Sequence, residues 1–435
     1  MAEERTLFDT ENNKERRAVL CAVYDSDSEA EASVSLDELE RLAETAGAVC
    51  SARLTQMRDA PDRRTVIGSG KCAELNELCS TLEADLVVFD TDLTPSQIKS
   101  LEDEIDRDVQ VIDRSMLILD IFASHARSAE GVLQVELAQL KYTAPRLVGH
   151  GREMSRLGGA ASGSIGSRGP GETKLELDRR RIRARIASLE TELEKVARSR
   201  AVIRRSRERS GIKRCAIVGY TNAGKSTLLN RLTDAGILAE DKLFATLDTT
   251  TRKYTLPGGA DILLTDTVGF IRKLPHHLIK AFRSTLEEAV YSDLLMIIID
   301  ASDPAFSDHL SVTENLLEEL GAGDKPKLYV LNKCDKADSE ALNELKKSDS
   351  NVHYAAISAL TGEGVEDMIS ALEAMLMAGK RTVKLSLPQS AGAAVNEIYM
   401  SAENVEINYT ADSIEIKAVL DERLYGKFGK YVTEE

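Results

Sequence analysis

Gly219-Tyr220-Thr221-Asn222-Ala223-Gly224-Lys225-Ser226-Thr227 is the stretch that decides the fold of this 435-residue chain. The preceding residues Cys215 to Val218 are apolar and predict a short buried strand, and Leu228 to Leu232 predict the start of a helix. A strand, the pattern G-x-x-x-x-G-K-[ST] and a helix, in that order, are typical of a phosphate-binding loop. The backbone N–H groups of such a loop and the N-terminus of its helix attract phosphate oxygens.

Two side chains of this loop have expected roles. Lys225 offers a positive charge to β- and γ-phosphates, and Ser226 offers a hydroxyl oxygen to Mg²⁺. A chance turn before a helix is the alternative, and three motifs further along the chain argue against it. Gly68-Ser69-Gly70-Lys71 is not a second such loop, because it lacks the four-residue spacer and the Ser or Thr after the lysine.

The first of the three motifs is the loop Phe244-Ala245-Thr246-Leu247-Asp248, which is followed by three more threonines. A loop downstream of the phosphate-binding loop can fold over a γ-phosphate, and one threonine hydroxyl would then complete the Mg²⁺ shell. Several threonines compete for this role. A plain polar loop is the alternative interpretation.

The second motif, Asp266-Thr267-Val268-Gly269, follows the apolar residues Ile262 to Leu264 and has the form D-x-x-G. We expect Asp266 to reach Mg²⁺ through water and the Gly269 N–H to sense the γ-phosphate. Phe270 occupies the next position, where Ras-like enzymes place a glutamine that orients the attacking water. Because phenylalanine cannot orient water, we expect slow hydrolysis until another group supplies this function.

The third motif, Asn332-Lys333-Cys334-Asp335, has the form N-K-x-D and determines the specificity for the nucleotide base. A carboxylate at Asp335 accepts hydrogen bonds from the ring N–H and the exocyclic amine of guanine, whereas adenine would leave it unpaired. We expect the stem of Lys333 to lie over the base. In Ser358-Ala359-Leu360, at the end of the last predicted strand, the Ala359 N–H can donate to guanine O6. A general ATPase would instead tolerate the Asp335→Asn substitution without a change in nucleotide choice.

Composition limits the function classes. The net charge of −16 excludes nonspecific nucleic-acid binding by the protein as a whole. The acidic N-terminus has no apolar core, so no signal peptide is expected, and the longest apolar run, Leu294 to Ile299, is too short to span a bilayer. Six cysteines without a C-x-x-C pair predict free thiols, no zinc site and a cytoplasmic location.

Charge is unevenly distributed along the chain. Residues 168–214 contain sixteen Lys or Arg and seven Asp or Glu. The spacing of Ile182, Ile186, Leu189, Leu193 and Val196 predicts one long helix with a coiled-coil seam. This helix should pair as an antiparallel hairpin with the helix predicted from Arg114 to about Thr143, leaving a glycine-rich loop at the tip. We expect the basic hairpin, residues 146–214, to contact RNA phosphates, although a solvated helix face is the alternative.

These elements predict an α/β fold class, in which a P-loop GTPase domain is preceded by a small α/β domain with a long helical hairpin and followed by a small α+β domain. The predicted boundaries are a disordered N-terminus at 1–16, an α/β domain at 17–113, the hairpin at 114–210, the GTPase domain at 211–379 and the C-terminal domain at 380–435. In the first domain, Ser35-Leu36-Asp37-Glu38 predicts a capping box that opens a helix, and Val66-Ile67 predicts a strand.

Together the four motifs resemble those of the HflX family of translation-associated GTPases. The stretch from Gly169-Pro170-Gly171-Glu172 to Arg181 also matches and separates this family from other small GTPases. The resemblance covers roughly residues 17–380, and it implies that Thr246 is the Mg²⁺-binding threonine. Thr249 and Lys174 depart from the residues usual in the family, Pro and Gln, but both lie outside the expected nucleotide contacts.

The resemblance also implies a partner and an activity. The family binds the large ribosomal subunit and is associated with splitting stalled ribosomes under stress. We therefore expect a Mg²⁺-dependent GTPase, with Lys225, Thr246 and Gly269 as catalytic residues, that binds this subunit and its rRNA in the GTP state. The alternative is a GTP-controlled adaptor for a non-ribosomal protein or a small RNA. We expect a monomer and leave loose membrane association open.

Overall fold

The computed structural model describes residues 16–26, 28–105, 108–145, 170–209, 212–233, 236, 242–275, 278, 283–337, 353–378, 381–410, 413–420 and 422–434. The glycine-rich loop predicted at the tip of the hairpin lies outside these residues. The chain forms two compact units. The first contains residues 1–198, 240–248 and 272–284, and the second contains residues 199–239, 249–271 and 285–435.

A four-stranded parallel sheet forms the centre of the first unit. Its strands are β1 (Arg16–Tyr24), β2 (Ala48–Met57), β3 (Leu86–Phe89) and β4 (Gln110–Asp113), in the spatial order β2-β1-β3-β4. Parallel neighbours require crossover connections, and these are the helices α1 (Glu29–Thr45), α2 (Ser69–Thr81) and α3 (Pro95–Glu104). Strand β3 is buried along its whole length, as its unbroken apolar sequence predicts.

Two local predictions in this unit are wrong. Helix α1 begins at Glu29, so Ser35 lies inside the helix instead of capping it. The Ser35 side chain is buried and its Oγ donates to Asp90 Oδ2 at 2.7 Å, a tertiary contact that the local pattern could not show. Val66 forms an isolated bridge with Asp62 in place of the predicted strand, at a left-handed φ of 67°.

The long helix predicted after β4 is divided into α4 (Arg114–His125) and α5 (Ala129–Thr143). Ser128 starts the second helix because its Oγ accepts the Gly131 N–H. Helix α6 (Pro170–Arg209) follows, and its predicted seam packs against α5. The contact consists of apolar side chains from both helices, namely Leu133, Leu137, Leu140, Ile182, Ile186, Leu189 and Leu193.

The second unit contains a six-stranded sheet. Its strands are β5 (Lys213–Gly219), β6 (Thr250–Thr255), β7 (Asp261–Asp266), β8 (Leu294–Asp300), β9 (Lys327–Asn332) and β10 (His353–Ala356). The spatial order is β10-β9-β8-β5-β7-β6, and β6 is the antiparallel edge strand. The described helices of this part are α7 (Lys225–Thr233), α8 (Arg283–Tyr291), α9 (Phe306–Glu319) and α10 (Val365–Leu376). Ligands of such sheets bind beyond the carboxyl ends of the strands.

Four antiparallel strands close the chain: β11 (Arg381–Pro388), β12 (Glu403–Tyr409), β13 (Ser413–Leu420) and β14 (Val432–Glu434). Their order is β12-β13-β11-β14, and the predicted hairpin of the strands at 405–409 and 413–418 is confirmed. Helices α11 (Gly392–Ser401) and α12 (Glu422–Phe428) pack on one face around Leu385, Ile398 and Phe428. The predicted fold class is therefore confirmed, while the domain boundaries stay predictions.

Candidate nucleotide-binding site

The loop between β5 and α7 has the backbone geometry that its glycines predict. Gly219 has a φ of 145°, and a Cβ there would collide with the Ile298 carbonyl oxygen of strand β8. Gly224 has a φ of 96°, and a Cβ there would collide with Asn332 Nδ2. Both positions therefore require glycine, because the backbone conformation and the close neighbours exclude a side chain.

Lys225 is the first residue of α7, and its side chain curls back over the loop. Its Nζ donates to the carbonyl oxygens of Tyr220 at 2.8 Å and Gly219 at 3.2 Å. Burial lowers the pKa of Lys225 to about 8, and the nearby carboxylate of Asp266 opposes this shift. The loop thus holds a buried ammonium group beside the N-terminus of a helix, which is an arrangement suited to an anion.

Ser226 and Asp266 lie together, as the sequence predicts for a metal site. The Ser226 Oγ donates to Asp266 Oδ2 at 2.6 Å, and Asp266 is completely buried at the end of β7. A hydroxyl and a carboxylate oxygen are ligands that Mg²⁺ prefers. The next residue, Thr267, is held in place by donating its Oγ1 proton to the Ile217 carbonyl at 2.8 Å.

The D-x-x-G stretch contacts the phosphate-binding loop directly. A Cβ at Gly269 would lie 2.6 Å from Thr221 Cα and 3.0 Å from Lys225 Nζ. Phe270 fastens the two segments, since its N–H donates to the Gly219 carbonyl at 3.1 Å and its carbonyl accepts the Thr221 N–H at 2.7 Å. The Phe270 ring is 1% exposed. This residue therefore joins the two segments through its backbone.

Asn332 links the base-side motif to the phosphate-binding loop. Its Nδ2 donates to the Ala223 carbonyl at 2.8 Å, and its Oδ1 accepts the Ala359 N–H at 2.9 Å. Lys333 has a left-handed φ of 61° and forms an ion pair with Asp300 Oδ2 at 2.6 Å. The structure thus brings the N-K-x-D motif and Ser358-Ala359-Leu360 beside Gly224.

The remaining residues of these two motifs differ in exposure. Asp335 is exposed, whereas Cys334 is half-buried and its N–H donates to the Ile357 carbonyl at 3.1 Å. Ser358 is fully buried and Leu360 is 70% exposed. The exposed carboxylate of Asp335 is therefore accessible to a base.

Residues 244–248 fold with the first unit, whereas Ser226 and Asp266 belong to the second. The Phe244 ring packs edge-on against Phe122, with ring centroids 4.8 Å apart. Asp248 Oδ2 accepts the backbone N–H groups of Arg127 at 2.9 Å and Ser128 at 2.7 Å, so its carboxylate holds in place the residue that caps helix α5. The sequence assigned Asp248 to the nucleotide, and the structure shows it bonded to the start of a helix.

Sequence reasoning missed three residues that support the site. Asp300 pairs with Lys333, and its position at the end of the apolar strand β8 was an available signal. His309 stacks on Tyr220 of the phosphate-binding loop, with ring centroids 3.8 Å apart and an interplanar angle of 13°. Arg231 donates to two backbone carbonyls of the loop after β10. No sequence signal indicated the last two contacts.

A phosphate-binding loop, a D-x-x-G strand end and an N-K-x-D strand end on one mostly parallel sheet define a P-loop GTPase. Three family models match the chain: "GTP-binding GTPase N-terminal" at residues 33–123, "GTP-binding GTPase Middle Region" at 125–207 and "50S ribosome-binding GTPase" at 214–333. The chain belongs to the HflX family of GTPases.

Two relatives show the extent of the likeness. The GTPase HflX of Lacrimispora saccharolytica is 49% identical over 411 residues, which are 94% of this chain and 95% of the relative. The GTPase HflX of Escherichia coli is 39% identical over 393 residues, 90% of each chain. The crystal structure of a GTP-binding protein from Sulfolobus solfataricus in complex with GDP aligns with 83% of this chain. The alignment includes 99% of that protein's chain, with 27% identity and a TM-score of 0.43.

Among the described helices, none combines the length and the apolar character that crossing a membrane requires.

Proposed function

We propose that this GTPase uses Mg²⁺ and binds the large ribosomal subunit in its GTP state, where it acts on stalled or idle ribosomes by splitting or rescuing them. The observation that carries the proposal is a basic helix in a protein whose GTPase domain matches a family model described as 50S ribosome-binding. The phosphates of the nucleotide lie on Gly219 to Thr227, and the guanine base is held by Asp335 and by Ser358 to Leu360. Ser226, Thr246 and Asp266 would hold the metal, the last through water.

The mechanism follows from the contacts of these residues. Lys225 neutralises the β- and γ-phosphates, and the Gly269 N–H donates to the γ-phosphate. Mg²⁺ held at this site would supply positive charge to the phosphates. Phe270 offers no polar atom to water, so the water-orienting group comes from elsewhere. We therefore propose slow intrinsic turnover that large ribosomal subunits increase, and equal turnover with and without subunits would contradict this part.

Arginines on helix α6 support the RNA contact. Arg180, Arg181 and Arg183 are exposed, and α6 lies against α5 through its opposite, apolar side. Arginines on one segment of a helix neutralise phosphates and release counterions, so binding weakens as salt concentration rises. The net charge of −16 makes this basic segment stand out from the rest of the chain.

The test is co-sedimentation with large ribosomal subunits in a GTP analogue, in GDP and without nucleotide, over a series of salt concentrations. The protein should pellet with the subunits in the analogue and stay in the supernatant in GDP. Replacing Arg180, Arg181 and Arg183 with Gln should weaken binding and reduce the slope of log K against log salt by about 2, at about 0.7 per lost contact. A matched control replaces the exposed Arg252, Lys253 and Lys417 with Gln.

Two results would overturn the proposal. If the protein pellets equally in the analogue and in GDP, the nucleotide does not control binding. If the protein does not pellet with the subunits at any salt concentration, the alternative of a GTP-controlled adaptor for another partner is favoured.

A further inference from the structure

Arg231 links the two halves of the nucleotide site. It lies on α7, the helix that begins with Lys225, and its guanidinium points toward the loop that follows strand β10. Its Nε donates to the Ala359 carbonyl at 2.6 Å, and its Nη2 donates to the Leu360 carbonyl. One planar side chain thus binds two consecutive carbonyls, and arginine is suited to such paired contacts because its donors form a rigid fork.

The loop that Arg231 contacts is a tight turn. The Gly362 N–H donates to the Ser358 carbonyl at 2.8 Å, and the Ser358 N–H donates to the Glu363 carbonyl at 2.9 Å. Gly362 has a φ of 97°, and a Cβ there would lie 2.7 Å from Arg231 Nη1. The guanidinium therefore packs directly on the turn, and the positive φ at position 362 favours glycine there.

Two anchors from different elements fix this turn. Asn332, at the end of β9, accepts the Ala359 N–H, and Arg231 on α7 binds the Ala359 carbonyl on the other side of the same residue. The peptide groups on both sides of Ala359 are therefore held. A displacement of either anchor would rotate the Ala359 N–H, which is the donor that we assign to guanine O6.

We propose that Arg231 is a positioning residue for guanine specificity, which holds the peptide groups of Ala359 in the orientation from which the N–H, bonded here to Asn332 Oδ1, also reaches the O6 atom of the base. The proposal rests on the guanine site proposed above. It predicts that loss of Arg231 weakens recognition of O6 selectively and leaves recognition of the 2-amino group, which depends on Asp335, unchanged. A residue needed only for folding would weaken both contacts together.

The experiment compares the full-length protein with Arg231→Ala, Arg231→Lys and the control Arg252→Ala, which removes an exposed arginine of strand β6. Dissociation constants are measured at neutral pH for GDP, for 6-thio-GDP, in which sulfur replaces O6, and for IDP, which lacks the 2-amino group. The wild type should prefer GDP over both analogues, because sulfur is a weaker acceptor and Asp335 loses a donor in IDP.

Arg231→Ala should weaken GDP binding about tenfold, the effect expected when the charged donor to two carbonyls, one of them part-buried, is lost. Its preference for GDP over 6-thio-GDP should fall toward one, while its preference for GDP over IDP should match the wild type. Arg231→Lys keeps the charge but offers no fork, so it should restore only part of the first preference. Arg252→Ala should behave as the wild type.

The outcomes separate the two proposals. If the wild type does not distinguish GDP from 6-thio-GDP, the assignment of Ala359 to O6 is wrong. If the wild type distinguishes them and Arg231→Ala does so equally well, the guanine site stands and the role of Arg231 is refuted. If Arg231→Ala does not fold, Arg231→Lys replaces it in the comparison. This variant should show a reduced preference for GDP over 6-thio-GDP, and a preference equal to that of the wild type would refute the role of Arg231.

Discussion

The buried ammonium group of Lys225 predicts how nucleotide affinity depends on pH. Burial lowers the pKa of Lys225 to about 8 in the protein without nucleotide. Negatively charged phosphates stabilise the protonated form, so the bound state has a higher pKa than the free state. Raising the pH above 8 therefore deprotonates Lys225 in the free protein. Nucleotide binding then requires Lys225 to take up a proton, which weakens the affinity.

The magnitude follows from this pKa. Between pH 7 and pH 9 the neutral fraction of Lys225 rises from about one tenth to about nine tenths. Affinity for GDP should consequently fall about tenfold, which corresponds to about 1.4 kcal/mol. A lysine with an ordinary pKa near 10.4 would change the affinity by only a few per cent over the same range.

The assay is a fluorescence titration of the protein with a labelled GDP at constant ionic strength, in EDTA so that no metal changes the charge near Asp266. The second ionisation of a phosphate lies near pH 6, so the charge on GDP stays constant above pH 7. Guanine begins to lose its ring proton near the upper end of the range. GMP provides the control, because it has the same base and lacks the β-phosphate that we assign to Lys225.

A tenfold loss for GDP together with a smaller loss for GMP would support the reasoning. Equal pH dependence for GDP and GMP would refute it, because the change would then come from the base. An affinity for GDP that stays constant to pH 9 would also refute it, since Lys225 would then keep its proton in spite of its burial.

Two further predictions concern the first unit. Burial raises the pKa of Asp120 from 3.8 to about 7, so the folded state loses stability as the pH rises from about 4 to about 7. Asp120→Asn should remove this loss, and it should stabilise the protein by about 2 to 4 kcal/mol at pH 8 and by little at pH 4. Equal thermal unfolding midpoints for variant and wild type at pH 8 would contradict this prediction. Asp248→Ala should release Arg127 and the capping residue Ser128 and so weaken the cap of α5, at a cost of about 1 to 2 kcal/mol. It should lower hydrogen-exchange protection in the first turn of α5, whereas the control Asp367→Ala in α10 should leave that protection unchanged. Unchanged protection in Asp248→Ala would contradict the prediction.

The sequence was informative where a feature depends on neighbours in the chain. The predicted strands around the three motifs exist because apolar runs such as Leu294 to Ile299 must be buried. The motifs of the GTPase domain follow strands for the same reason. Ser226 and Asp266 could therefore be placed together in advance, because the carboxyl ends of parallel strands meet at one edge of the sheet.

The sequence failed where distant segments decide the outcome. Ser35 has the pattern of a helix cap, but its hydroxyl is used by Asp90, which lies 55 residues away in the chain. The break between α4 and α5 depends partly on Asp248, whose carboxylate binds the capping residue Ser128 from more than one hundred residues downstream. Arg231 and His309 carry no motif, because a backbone carbonyl or a ring face can be contacted by many residue types.

The interrupted connectivity of the first unit has a consequence for synthesis of the protein. Residues 1–198 form this unit together with residues 240–248 and 272–284. A nascent chain released after helix α6 would lack Phe244, which covers Phe122, and Lys273, which pairs with the buried Asp90 at 2.6 Å. The N-terminal region can therefore complete its packing only after much of the GTPase domain has left the ribosome. A fragment ending near residue 210 should be less stable than the same fragment within the full chain.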